Sequence, residues 1–183
     1  MRRLKIRHVE VSVRIPDSRF QIPNSKLLEC IILVGLPGSG KTTFYRQYFA
    51  ATHTHISKDL WPRASGREAR QRRLIDEALA AGRSVVVDNT NPERADRAPL
   101  VAAAHAHGAQ AVGYFIDVSP RVAIARNEER SGRAKVPKVA IFTVAKRLER
   151  PTLAEGFDQL FCVQTAADRS FHVAELADAQ AEG

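Results

Sequence analysis

The sequence predicts an α/β fold of three layers, with a mostly parallel five-stranded sheet held between helices. Short apolar runs of strand length alternate with helix-length segments, the pattern of a parallel sheet covered on both faces. Glycine and proline punctuate the helical segments where helix ends require them. The 183 residues are 44% apolar and 26% charged, the size and composition of one globular domain with its own core.

Residues 1–25 differ from the rest of the chain. Val9, Val11, Val13 and Ile15 alternate with Glu10, Ser12 and Arg14, which predicts a half-buried antiparallel edge strand or hairpin. Core strands are expected at 30–34, 53–57, 84–88, 111–117 and 159–163, each a short apolar run. Helices are expected at 41–51 behind a glycine-rich turn and at 67–81 before Gly82. A third, 92–107, lies between Pro92 and Gly108. Ser119 as N-cap and Pro120 as first position open a fourth, and 136–148 forms a fifth before Pro151.

No apolar run approaches the roughly 20 residues of a membrane-spanning helix, and the basic start, Met1 to Arg7, has no apolar stretch of a signal peptide. The expectation is a cytoplasmic protein without a membrane partner. Cys30 and Cys162 fall in separate strand candidates, which suits small core thiols better than a disulfide or a metal site. Lys and Arg outnumber Asp and Glu by 28 to 20, giving a net charge of +8 and a pI near 10.0. Such an excess favours polyanionic substrates, although a solvated basic face produces the same count.

The most specific signal is Gly35-Leu36-Pro37-Gly38-Ser39-Gly40-Lys41-Thr42, which fits G-x-x-x-x-G-K-[ST] between an apolar strand and a helix. Backbone N–H groups in such a loop converge on phosphate oxygens, and the helix N-terminus adds partial positive charge. Lys41 is then expected on the β and γ phosphates and Thr42 on Mg²⁺, so the fold is that of a P-loop NTPase and the cofactors are ATP or another NTP with Mg²⁺. Asp88 ends the run Val85-Val86-Val87 and stands where a carboxylate acts on the metal or on substrate. A strand-ending Asp that caps the turn Asn89-Thr90-Asn91 is the plainer alternative.

Residues 34–161 resemble the kinase domain of polynucleotide 5′-hydroxyl kinases, enzymes that heal nucleic-acid ends. The resemblance rests on the loop 35–44, on Ser57-Lys58-Asp59 after the second strand, and on Val86-Val87-Asp88-Asn89-Thr90-Asn91-Pro92. It continues through Arg126 to Arg130, Val136-Pro137, and Pro151 to Phe157. It implies that Gly35, Pro37, Gly38, Ser39, Gly40, Lys41, Thr42 and Thr43 bind the nucleotide, and that Asp59 is the general base toward the acceptor hydroxyl. Asp59, Arg63, Asp88, Asn89, Thr90 and Asn91 would contact the acceptor. Residues 119–150 would form a helical lid whose Arg126 and Arg130, read as i and i+4 on one helix face, meet the transferred phosphate. Trp61 and Pro62 intervene before Arg63, a departure from the phage pattern, and no D-x-D-G-T/V phosphatase signature occurs.

The implied activity is transfer of the ATP γ phosphate to 5′-hydroxyl ends of DNA or RNA, with no obligatory protein partner. The run Arg63, Arg67, Arg70, Arg72 and Arg73 is expected to contact strand phosphates, and Trp61 either stacks on a terminal base or packs into the fold. His53 and His55 are expected at core or edge positions. Two other functions remain open on the residues alone: a kinase for a small acceptor such as a nucleoside, sugar or antibiotic, and an NTP-driven switch or remodelling ATPase.

Overall fold

The structure is a computed structural model that describes residues 27–132, 135–166 and 168–176. The edge strand expected over 1–25, and Arg133 in the lid region, lie outside the described residues. Six strands form one sheet in the order β2-β3-β1-β4-β5-β6. They are β1 (Glu29–Val34), β2 (Thr54–Ile56), β3 (Val85–Asp88), β4 (Gln110–Ile116), β5 (Gln159–Thr165) and β6 (Phe171–Glu175). The first five are the strands expected from the sequence, and all their pairings are parallel. The sixth, β6, runs antiparallel to β5 and supplies the described antiparallel edge at the C-terminal side.

Five α-helices connect the strands: α1 (Lys41–Tyr48), α2 (Arg67–Ala80), α3 (Arg94–Ala106), α4 (Pro120–Glu128) and α5 (Lys138–Arg147). Their ends follow local chemistry. Ser119 Oγ accepts from the Val122 amide and Pro120 opens α4. α3 begins at Arg94, two residues after Pro92, because Glu93 and Asp96 form a reciprocal capping box.

Alternation along the strands divides the core between two faces. Cys30, Ile32, Val34, Val85, Val87 and Ala111 point toward α2 and α3, meeting Ile75, Leu79, Leu100 and Val101. Ile31, Leu33, Val86, Val112 and Ile116 point to the other face, where α1 inserts Phe44. That second face is aromatic, with Phe44 within 5.2 Å of both Tyr114 and Phe171 between ring centroids. Cys30 is buried on β1, and burial pushes its thiol pKa up to about 12; Cys162 is half-buried on β5, and both are free. On β4, a Cβ at Gly113 would come within 2.5 Å of Leu160, so the sheet and the segment behind it close over a position that only glycine fits. The parallel order sends β1 and β3 side by side, and their C-terminal ends open onto one cleft, where an open α/β sheet binds its ligands.

Candidate active site

The loop between β1 and α1 is the floor of this cleft. Ser39 and Gly38 are buried, and Phe44 N donates to the Gly40 carbonyl as the first helical turn begins. Gly38 has φ +82°, and a Cβ on it would lie 2.6 Å from the Ala123 carbonyl of α4, so the loop touches the α4–α5 layer directly. Lys41 is 8% exposed and its Nζ donates to the carbonyls of Gly35 (2.9 Å) and Leu36 (2.8 Å). Burial pushes its pKa down to about 8; the charges of Asp88 and Asp59 oppose that shift and Arg130 adds to it.

Asp88 ends β3 at 5% exposure. Its Oδ2 accepts from Thr42 Oγ1 (2.7 Å) and from His55 Nε2 (3.0 Å). A hydroxyl whose proton is committed to a carboxylate offers its lone pairs outward, so Thr42 and Asp88 suit a hard cation such as Mg²⁺. Among the described residues no group of three or more His, Cys, Asp and Glu side chains could hold a metal alone. Mg²⁺ needs no such cage, since it takes one or two protein oxygens plus phosphates and waters.

Across the cleft, Ser57 caps a short 3-10 turn, Lys58–Leu60, by accepting from the Asp59 amide. Asp59 is exposed on this turn. Asn89 braces it: Asn89 Oδ1 accepts from the Lys58 amide (3.0 Å), and Asn89 Nδ2 donates to the buried Gln71 of α2 (2.6 Å). The next two residues serve the fold. The Thr90 carbonyl accepts from the Gly35 amide (3.1 Å), and Asn91, 4% exposed with φ 42°, donates to the Leu33 carbonyl (2.8 Å). Asn91 thus faces the interior and not the cleft.

The lid arginines are arranged differently from the sequence expectation. Arg126 donates to the Ser39 carbonyl (3.1 Å) and stands beside Gly40. α4 ends at Glu128, so Arg130 lies beyond the helix on a turn closed by its amide to the Asn127 carbonyl. The two do not share a helix face, because the helix ends between them; Asn127, 1% exposed, bonds both backbone groups of Val136 at that end. Arg126 thus contacts the phosphate loop, and the charge of Arg130 bears on Lys41.

The basic run after Asp59 is less positive than its count. Arg72 pairs with Asp76 (3.1 Å) and Arg73 with Glu77 (3.8 Å), each one turn along α2. Arg70 lies over the Trp61 ring at 4.8 Å, and Trp61 packs against the core, so one face of that ring is taken. Arg63 and Arg67 are exposed and make no ion pair with a described residue.

Four residues that sequence reasoning missed shape the site: His55, Gln71, Asn127 and Arg97. Arg97 of α3 is fully buried and pairs both oxygens of Glu155 at 2.7 Å. It also donates to the carbonyls of Asn91, Pro92 and Glu149, strapping the loop after β3 to the segment after α5. Its signal was present. Arg97, Leu100, Val101 and Ala104 share the apolar stripe of α3, and a charge on such a stripe must have a partner.

The chain is similar in sequence and in fold to known proteins. A family model described as AAA domain matches residues 30–151. A protein of Acanthamoeba polyphaga mimivirus, named for a bifunctional polynucleotide phosphatase/kinase, is 30% identical over 166 residues, covering 82% of this chain and 38% of that protein. The chain thus spans well under half the length of that relative. Among solved structures, a fungal RNA kinase superposes with a TM-score of 0.58 at 16% identity, covering 80% of each chain. A gluconokinase from Sinorhizobium meliloti 1021 gives 0.55 at 23% identity, covering 76% of this chain and 84% of that one.

Proposed function

Since the chain belongs to the AAA domain family and has the P-loop kinase fold, we propose that it is a cytoplasmic, ATP- and Mg²⁺-dependent kinase acting on the 5′-hydroxyl ends of DNA or RNA. The name of the mimivirus relative and the fungal RNA kinase neighbour support the acceptor class. The observation that carries the reading is the geometry at the tips of β1 and β3: Lys41 is buried in the phosphate loop next to the Thr42–Asp88 hydrogen bond, and Asn89, the residue after Asp88, holds the turn that bears Asp59. A carboxylate facing the phosphate loop across a cleft is what in-line transfer to a hydroxyl requires.

In this reading, residues 35–43 hold the ATP phosphates through backbone N–H groups and Lys41. The Thr42 hydroxyl and, through water, Asp88 would hold a Mg²⁺ ion, which would supply neutralisation of phosphate charge. Asp59 accepts the proton of the 5′-hydroxyl as its oxygen attacks the γ phosphorus, the bond to the β,γ-bridging oxygen breaks, and ADP leaves. Arg126 and Arg130 stabilise the charge on the transferred group; one arginine so placed supplies about 10³ to 10⁵ in rate. Arg63 and Arg67 offer the exposed charges for strand phosphates.

A second reading, transfer to a small hydroxyl acceptor, gains from the neutralised charge of α2 and from the gluconokinase neighbour. The deciding experiment gives the protein γ-labelled ATP with an oligonucleotide bearing a 5′-hydroxyl, a nucleoside, and a sugar acid. Label on the oligonucleotide end supports the proposal; label on a small acceptor alone replaces it.

A further inference from the structure

His55 takes an edge position on β2, as the sequence predicts, and from there its Nε2 lies 3.0 Å from Asp88 Oδ2. Its ring stacks on Tyr45 of α1 with centroids 4.0 Å apart and planes 10° apart. The contrast with His53 is informative, since that residue pairs with Glu29 at the other end of β1, away from the cleft. An ionised carboxylate only accepts, so the bond to Asp88 needs the proton on Nε2 of the imidazole. Two donors, His55 and Thr42, then meet the same oxygen, which leaves Oδ1 as the oxygen neither engages.

We propose that His55 is a positioning residue for the divalent cation of the nucleotide. Braced by Tyr45, it pins Asp88 through Oδ2. The carboxylate then keeps the rotamer in which it both accepts the Thr42 proton and turns Oδ1 toward the ion's waters. The inference rests on the reading of Thr42 and Asp88 as the cation's protein oxygens. Partners that orient a ligating group in this way change metal affinity by about 10 to 100-fold when removed.

The test measures binding without turnover. A nonhydrolysable ATP analogue is titrated into the full chain by calorimetry, with and without Mg²⁺, for the parent, His55→Phe and His55→Gln. His55→Phe keeps a ring against Tyr45 but loses the donor, while His55→Gln retains an amide donor. The expected result is unchanged metal-free affinity in both variants. The gain conferred by Mg²⁺ should fall about tenfold or more in His55→Phe and be largely kept in His55→Gln. Equal Mg²⁺ gain in parent and His55→Phe overturns the proposal, as does a parallel loss of metal-free and Mg²⁺-loaded affinity. A parent that gains nothing from Mg²⁺ removes the reading of Thr42 and Asp88 itself. If His55→Phe does not fold, Tyr45→Leu, which removes the stacking wall, must show the same selective loss.

Discussion

The two sides of the cleft hold their charges in opposite ways. At the tips of β1 and β3, Ser39, Lys41, Asp88 and Asn91 are buried, and backbone or neighbouring side chains fix each of them. Along α2, opposite, the arginines stand in water, and two of them are paired with acids one turn away. A buried charge has its strength set by geometry, because removing water leaves its partners to decide the cost. An exposed charge has its strength set by its sequence neighbours and by salt. Counting basic residues therefore misjudges the α2 side while saying little about the phosphate-loop side.

The contrast can be broken or sharpened by substitution. Lys41→Ala should reduce labelled-phosphate transfer by about 10³, since a preorganised cation is lost from an enclosed site; a loss within tenfold would mean that the buried end is not the donor site. Arg97→Ala leaves Glu155 charged and buried, which should cost about 3 to 5 kcal/mol in a denaturant titration and loosen the strap beneath the cleft. A change under about 1 kcal/mol would make that pair ornamental. Asp59→Asn should lower turnover by about 10² while ATP affinity stays near the parent's, and calorimetry beside turnover separates the two effects. The smallest effects belong to α2 and the turn before it. Removing Arg63 and Arg67 should reduce the salt slope of oligonucleotide use by about one unit each. Removing Arg72 and Arg73 should leave it nearly unchanged, and equal slopes for the two pairs would erase the distinction between free and paired arginines.

Much of the phosphate-loop side was legible because it is local. Gly35 to Thr42 carries its own geometry within eight consecutive residues, and β1 and β3 are uninterrupted apolar runs as a central parallel strand demands. The strands from β1 to β5 and the starts of α1, α2 and α4 fell where caps and glycines marked them. What the sequence concealed depends on distant contacts. Asn127 and Gln71 look like ordinary polar helix residues until α4 and α2 are packed, and His55 looks like strand filler until β2 lies beside β3. The face assigned to Arg126 and Arg130 failed for a related reason: α4 ends at Glu128, where buried Asn127 binds the backbone of Val136 and ties the helix end to the segment before α5. β6 was missed because Phe171 to Glu175 is too short and too polar to announce a strand before β5 offers it an edge.

The docking of β6 carries a thermodynamic consequence. Its Phe171 closes against Phe44 and lies beside Gly40, so the helix after the phosphate loop takes its last supporting wall from the far end of the described chain. Binding at the loop and docking of that strand are then linked equilibria, and a ligand that binds the docked form more tightly stabilises it by an amount set by that difference in affinity and by its concentration. The strand edge becomes a remote reporter of nucleotide occupancy: amide hydrogens of β6 should exchange more slowly when ATP is present, though no atom of β6 need touch a phosphate.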